Sequence, residues 1–190
     1  MFKNPVIWSD QNQITGDTIH LISNTETKKL DSLKVLNNSF ISSKDSISKK
    51  DFNQIKGRNM FGKFEKNKLR LLLVKGNAES VYFNRNEESQ VLETITKEVS
   101  SNIEFTLTKG QIETIKYLKT SDGNTYPPSQ LPDDVRELKG FVWREDEQPK
   151  TKKDIFVKED ETTEYSKPID KKKKIQNDPK QNLFTKNNKI

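Results

Sequence analysis

Apolar and polar residues alternate along several short stretches of this chain, and the alternation predicts β-strands. Ile103, Phe105 and Leu107 are apolar, whereas the residues between them are polar. A two-residue period places successive side chains on opposite faces of a strand, so one face is buried and the other is wet. The same spacing recurs in four further pairs, namely Ile19 and Leu21, Leu33 and Val35, Leu72 and Val74, and Ile115 and Tyr117. The pattern favours an all-β fold.

The strand pattern recurs as a unit of about 40 residues. In the central copy, 54–83, the polar residues Glu65–Lys68 predict a hairpin turn centred on Asn67. The motif QIKG at 54–57 has an upstream counterpart, QITG at 13–16, 41 positions earlier. A third copy lies 43 positions downstream and has Ser100 where the central copy has glycine. Repeats of this length indicate stacked units, none of which buries its apolar face alone.

The character of the chain changes after residue 120. The residues SDGN at 121–124 predict a turn, and the prolines that follow oppose regular strand pairing. Asp133–Lys139 is predicted as a short helix, with a final strand after it, and together they would cap the last repeat. We therefore predict three regions: repeats over 1–120, a capping segment over 121–149 with its helix at 133–139, and a disordered lysine-rich tail over 150–190.

Composition narrows the possible functions. The 190 residues are 30% hydrophobic and 33% charged, and this hydrophobic fraction is low for a protein with a closed core. The chain has no cysteine and one histidine, so thiolate sites, cysteine nucleophiles and histidine-cluster metal sites are excluded. We expect no enzymatic activity, no cofactor and no metal.

Three features that resemble functional motifs have simpler explanations. His20 has no patterned acid or nucleophile beside it and is expected on a solvated face. Asp133, Asp134 and Glu137 are acids of a predicted helix start, where they complement the helix dipole. The glycines at 57 and 62 lack the spacing and the Lys-Ser/Thr pair of a phosphate-binding loop.

The sequence contains no apolar run of membrane-spanning length, and its start lacks a signal-peptide core. A strand-like segment begins very close to Met1. We therefore expect that sequence upstream of this start is missing.

Four stretches carry a resemblance to a known family. They are PVIWSDQNQITGDTIHL at 5–21, LDSLKVLNN at 30–38, QIKGRNMFGKFEKNKL at 54–69 and LKGFVWR at 138–144. In their order and spacing they resemble the OstA/LptA-like lipopolysaccharide-transport family, in the form associated with Bacteroidetes-type bacteria. The resemblance covers roughly residues 5–150.

The resemblance implies a β-jellyroll, or β-taco, in which two facing sheets fold like a V around an apolar interior. It implies a periplasmic or outer-membrane-associated protein that holds the acyl chains of lipopolysaccharide or lipid A. Its partners would be other jellyroll domains of the lipopolysaccharide-transport bridge, joined end to end. No nucleic-acid partner is implied.

One inward-facing stripe of residues would line the lipid groove on this interpretation: Ile19, Leu21, Leu33, Val35, Met60, Phe64, Leu72, Val74, Ile103, Phe105, Leu107, Ile115 and Tyr117. The same stripe is equally typical of an ordinary sheet-on-sheet core. Both can hold, because a splayed sandwich has a core at its hinge and a groove at its mouth.

Two other functions remain open from the residues alone. A structural or adhesive repeat scaffold would use the stripe only as core. A basic polyanion binder would use the net charge of +6 and the run Lys171–Lys174, although no aromatic residues are interleaved with that run.

Overall fold

A computed structural model describes residues 4–9, 11–86, 88–108, 111–151 and 154. Strands dominate this part of the chain: β1 Val6–Ser9, β2 Asn12–Thr15, β3 Thr18–Ser23, β4 Leu30–Lys44, β5 Phe52–Glu65, β6 Lys68–Arg85, β7 Leu92–Thr108 and β8 Gln111–Tyr126. A four-residue helix, α1 Asp133–Arg136, and the 3-10 turns Pro128–Gln130 and Glu145–Glu147 follow. The prediction of an all-β fold is confirmed.

The eight strands form one antiparallel sheet in the order β1-β2-β4-β5-β6-β7-β8, and β3 also pairs with β4. β4 is long enough to pair with β3 through residues 30–36 and with β2 through residues 40–43 along the same edge. Within the described residues, β8 pairs only with β7, so the sheet is open.

Each long strand is bent near its middle. The pairing register shifts between Leu36 and Ser39, between Lys56 and Asn59, and at the corresponding points of the next strands. Asn37 has a φ of 54°, which is the left-handed conformation that asparagine tolerates better than most residues. Bulges of this kind bend a strand and increase its twist. The line of bends across the sheet is called the corner below.

The corner divides the sheet into two arms. Arm A contains β3 and residues 30–36, 59–65, 68–75, 102–108 and 111–118, and arm B contains β1, β2 and residues 39–44, 52–57, 78–85, 92–100 and 121–126. Buried residues, all from arm A except Ala78, form one core cluster, against which the arm B isoleucines at 7, 14, 41 and 55 pack. The sheet is therefore folded on itself, with the two inner faces in contact, and is jellyroll-like.

The glycines of the repeated motif lie at the corner, where they allow close approach of the arms. A Cβ on Gly16 would lie 2.4 Å from Cγ1 of Val35, and a Cβ on Gly57 would lie 2.4 Å from Cγ1 of Val74. In the third copy Ser100 occupies this position, and its hydroxyl donates to the carbonyl of Leu118 at 3.1 Å. The 40-residue repeat thus corresponds to a repeated corner.

The outer face of arm B is covered by residues 131–144, which we call the strap. Phe40, Val81, Phe83 and Ile95 of arm B form a second apolar cluster with Leu138 of the strap. The strap was predicted to cap the last repeat, but its aromatic residues contact Phe40 and Phe52 of the first two units. The covered surface is a sheet face, not the end of the stack.

Several local predictions differ from the structure. The residues at 121–124, predicted as a turn, lie within β8, so the strands extend beyond the predicted boundary at 120. The predicted helix over 133–139 is limited to α1, and residues 141–144 are not in a strand. Residues 13–22 belong to two strands, β2 and β3, on either side of Gly16.

Other local predictions agree or lie outside the described residues. Lys66 and Asn67 connect β5 and β6 with φ values of 51° and 64°, as a two-residue hairpin turn of type I′ requires. The predicted tail over 150–190 lies outside the described residues apart from 150, 151 and 154.

Candidate functional site

The predicted groove-lining residues lie on the inner face of arm A in rows that cross the strands. The row nearest the corner is Ile19, Val35, Met60, Val74, Ile103 and Tyr117, in register from β3 to β8. The next row is Leu21, Leu33, Gly62, Leu72, Phe105 and Ile115. Phe64 and Leu107 lie one step further from the corner and pack against the same cluster. The two-residue period therefore identified one continuous surface.

In the central strands β4–β7 burial decreases along this surface with distance from the corner, whereas Ile19 and Tyr117, in β3 and β8, are only partly buried even in the first row. Val35, Met60, Val74 and Ile103 have no exposed surface, so the interior is filled there. Further out, Phe64, Leu107 and Ile115 are only partly buried. We call these three residues the mouth. At the β3 edge Leu21 is 48% exposed. The stripe is thus a closed core at the corner and a partly open apolar surface at the mouth.

Arm B contributes an opposing row that sequence reasoning did not identify. It runs in register as Ile7, Ile14, Ile41, Ile55, Ser80, Glu98 and Gly123. The signal available was the isoleucine that follows glutamine in both copies of the repeated motif. The row changes from apolar to polar at β6, so the interior has an apolar end and a polar end.

The polar end joins the two arms. The phenol of Tyr117 on arm A lies near the side chain of Ser80 on arm B. Burial raises the pKa of Tyr117, the neighbouring Ser80 hydroxyl lowers it in part, and the charge of Glu98 adds to the rise. Burial also raises the pKa of Glu98 above its ordinary value, and the nearby Asp122 carboxylate adds to this effect. This end can therefore offer hydroxyl and carboxyl groups to a bound molecule.

The raised pKa of Glu98 predicts a pH dependence of stability. The folded chain holds this proton more tightly than the unfolded chain, so stability falls as pH rises from about 4.5 through the folded-state pKa. We expect Glu98→Gln to remove this component, so that its stability relative to the natural chain increases over that range. Urea unfolding between pH 4 and pH 7 measures the difference. Glu88→Gln, in an exposed loop, is the control, and identical pH profiles for Glu98→Gln and the natural chain would contradict the assignment.

The structure shows where the residues with functional-motif-like patterns lie. His20 is exposed on β3. Within the described ranges no group of three or more His, Asp or Glu residues could hold a metal ion. Asp133 and Asp134 do lie in the first turn of α1, as predicted. The candidate site that the described residues offer is the apolar surface.

A shallow hollow of about 650 Å³ lies where the corner meets the strap. Lys56, Arg58 and Lys139 give it a basic lining. Glu79 neutralises Lys56 at 2.9 Å, and Asp17 accepts a hydrogen bond from the side chain of the lining residue Asn38 at 3.1 Å. One of the three basic side chains is thus paired with an acid, and apart from Phe40 the lining is polar or glycine, so the hollow is a weaker candidate for an apolar ligand than the interior.

No protein-family model matches the chain. No curated protein is significantly similar to it either. Among the residues that the structure describes, no helix has the length and apolar character needed to cross a membrane. A function for this chain therefore rests on its own residues and on the geometry of the interior.

Proposed function

We propose that this chain is a non-enzymatic lipid-binding protein that takes part in lipopolysaccharide transport to, and assembly of, the outer membrane. The acyl chains would lie between arm A and arm B, entering at the mouth. The observation that carries the proposal is the continuous apolar surface, two rows deep and six strands wide, that is closed at the corner and partly open at the mouth. The choice of lipopolysaccharide as the ligand comes from the resemblance of four stretches to the OstA/LptA-like family.

Apolar burial would provide the binding energy. Each acyl CH₂ removed from water contributes about 0.8 kcal/mol. The residues at the corner are too closely packed to admit a chain, whereas Phe64 and Leu107 are only partly buried. Lipid binding would therefore separate the arms about the corner, beginning with the contacts at the mouth.

The open sheet edge suits the proposed end-to-end assembly with other jellyroll domains. β8 runs for 16 residues, and within the described part of the chain only its β7 side is paired. The main-chain groups of an unpaired edge strand can continue the ladder into another sheet. We propose such a junction in the periplasm, in series with other lipid-carrying domains.

A structural or adhesive scaffold is the second candidate function. The filled interior at the corner favours it, because the buried stripe residues of arm A account for most of the first core cluster. In a scaffold the arms would stay closed and the mouth would bind nothing. The polyanion-binding alternative depends on Lys171–Lys174, which lie outside the described residues.

A photo-crosslinking amino acid at Phe64 tests the proposed function. Phe61, on the same strand, is the matched control, because it lies on the outer face under the ammonium group of Lys75. We expect lipopolysaccharide to be labelled in cells from position 64 and not from position 61. Equal labelling from both positions, or none from 64, would contradict lipid binding in the interior and favour the scaffold.

A further inference from the structure

The strap is held through its main chain by a buried glutamine. The side-chain nitrogen of Gln54 donates to the carbonyl of Arg136 at 2.8 Å, and its oxygen accepts from the amide of Leu138 at 2.9 Å. Only 1% of Gln54 is exposed. One side chain thus binds the strap as a neighbouring strand would, with a donor and an acceptor.

The other copy of the motif repeats this arrangement. The nitrogen of Gln13 donates to the carbonyl of Val142 at 2.7 Å, and its oxygen accepts from the amide of Arg144 at 2.7 Å. Gln13 is also 1% exposed. The repeated glutamines therefore have one structural task, which is to hold the strap at two points six residues apart.

Aromatic contacts complete the interface. Trp143 of the strap meets Trp8 edge to face at 5.0 Å between ring centroids, and it meets Phe52 at 4.9 Å. Phe141 lies 5.0 Å from Phe52. Strap residues 141–144 form no strand with the sheet, so side chains hold this segment in place.

The docked strap also leaves polar groups unsatisfied. The indole nitrogen of Trp8 and the hydroxyl of Ser42 are buried beneath it without a hydrogen-bond partner among the described residues. Ser42 lies between the two glutamines in the pairing register. Both groups could hydrogen-bond to water if the strap were released. Those new hydrogen bonds would offset part of the free energy lost with the strap contacts.

Each glutamine is followed by an isoleucine that points the opposite way. Ile14 and Ile55 belong to the inner row of arm B and pack against the core cluster. Adjacent residues on a strand face opposite sides, so the backbone that holds the strap also carries the inner row. A shift of that backbone therefore moves both the strap-binding outer face and the inner row of arm B.

The strap also ties together the separate strands of arm B. Lys44 at the end of β4 pairs with Glu145, just beyond the strap, at 3.2 Å. Arg136 forms an ion pair with Asp51, beside the start of β5. Arg144 donates to the carbonyl of Asn4, ahead of β1, at 2.9 Å. With the strap docked, these strands are held as one unit.

We propose that the strap is a releasable latch that controls the apolar interior through the two Gln-Ile pairs. Docked, it fixes the strands of arm B and, through Ile14 and Ile55, the inner row that packs against arm A; released, it lets that row move and the interior accept an acyl chain. This inference rests on the proposed lipid-binding function and adds its regulation.

Two changes to the full chain test the latch in opposite directions. Gln54→Leu removes the bonds to the strap, and Gln11→Leu, in an exposed turn, is its matched control. Lys44→Cys with Glu145→Cys, joined by a short bis-maleimide, fixes the strap; the chain has no other cysteine. Its two tryptophans both lie at the interface, so intrinsic fluorescence reports docking directly.

Uptake of the apolar dye N-phenyl-1-naphthylamine and of lipid A is then measured for each form. We expect Gln54→Leu to shift tryptophan emission to longer wavelength and to raise affinity about fivefold or more, and the crosslink to lower it by a similar factor. Equal uptake by crosslinked and uncrosslinked chains would overturn the latch and leave the lipid-binding proposal standing. No uptake by any form would overturn both. If Gln54→Leu fails to fold, the crosslinked pair decides the matter.

Discussion

Truncation of Leu33 to alanine is expected to lower the free energy of unfolding by about 2–5 kcal/mol. Truncation of its row neighbour Leu21 is expected to cost only about 0.5 kcal/mol. The two leucines face each other across β3 and β4, but Leu33 is 2% exposed and Leu21 is 48% exposed. A cavity under Leu33 cannot collapse easily, because Val35 and Leu72 are fixed in the same core cluster.

Urea unfolding followed by circular dichroism measures both changes on the full chain. The two variants control for each other, because the same atoms are removed from leucines of the same row and only the burial differs. Similar losses for the two variants would show that the edge of arm A is as closed as its centre. A small loss for Leu33→Ala would contradict the folded-sheet core.

Gly57→Ala is the second large effect and is expected to destabilise the chain by about 1–3 kcal/mol. The new methyl group would overlap Cγ1 of Val74, which is fully buried. Val74→Ala alone should also destabilise, because it leaves a cavity. In the double variant the methyl group of residue 57 fills part of that cavity, so the two losses should not add.

A double-mutant cycle from chemical unfolding tests this coupling. We expect the double variant to be more stable than the sum of the single losses implies, by about 0.5–3 kcal/mol. Gly16→Ala with Val35→Ala should behave in the same way, since this pair occupies the equivalent corner. Strict additivity in both cycles would mean that the arms are further apart at the corner than described.

The regular features of the fold could be predicted because they depend on local pattern. The two-residue period placed Ile103, Phe105 and Leu107 on one face, and the hairpin at Asn67 follows from residues that tolerate positive φ. The bends were harder to recognise. Asn37 and the residue after it give the same local signal whether the chain reverses or merely bends within β4.

Tertiary pairing overrode local propensity near the end of β8. The residues SDGN at 121–124 favour a turn, yet they continue the ladder with β7, where Val99 faces Asp122 and Glu98 faces Gly123. The preference of a few residues is small beside a ladder that is already in register. No local rule could have found this.

Only the arm A side of the candidate site could be predicted from the sequence, for a similar reason. Arm A has apolar residues two apart on each strand, which gives a clear signal. Arm B has isolated isoleucines, such as Ile14 and Ile55, set among polar residues, and their common row depends on the strand register. The bond from Gln13 to Arg144 spans 131 positions, beyond the reach of any pattern analysis.

The distance between the two ends of β6 tests the central claim most directly. This strand runs from Lys68 on arm A, around the corner, to Arg85 on arm B. Spin labels at Lys68→Cys and at Glu88→Cys, three residues beyond the end of β6, would report how far apart the arms are, and no native cysteine interferes. If the arms open to hold acyl chains, the measured distance increases when lipid A is added. An unchanged distance at saturating lipid A would contradict a lipid-holding interior.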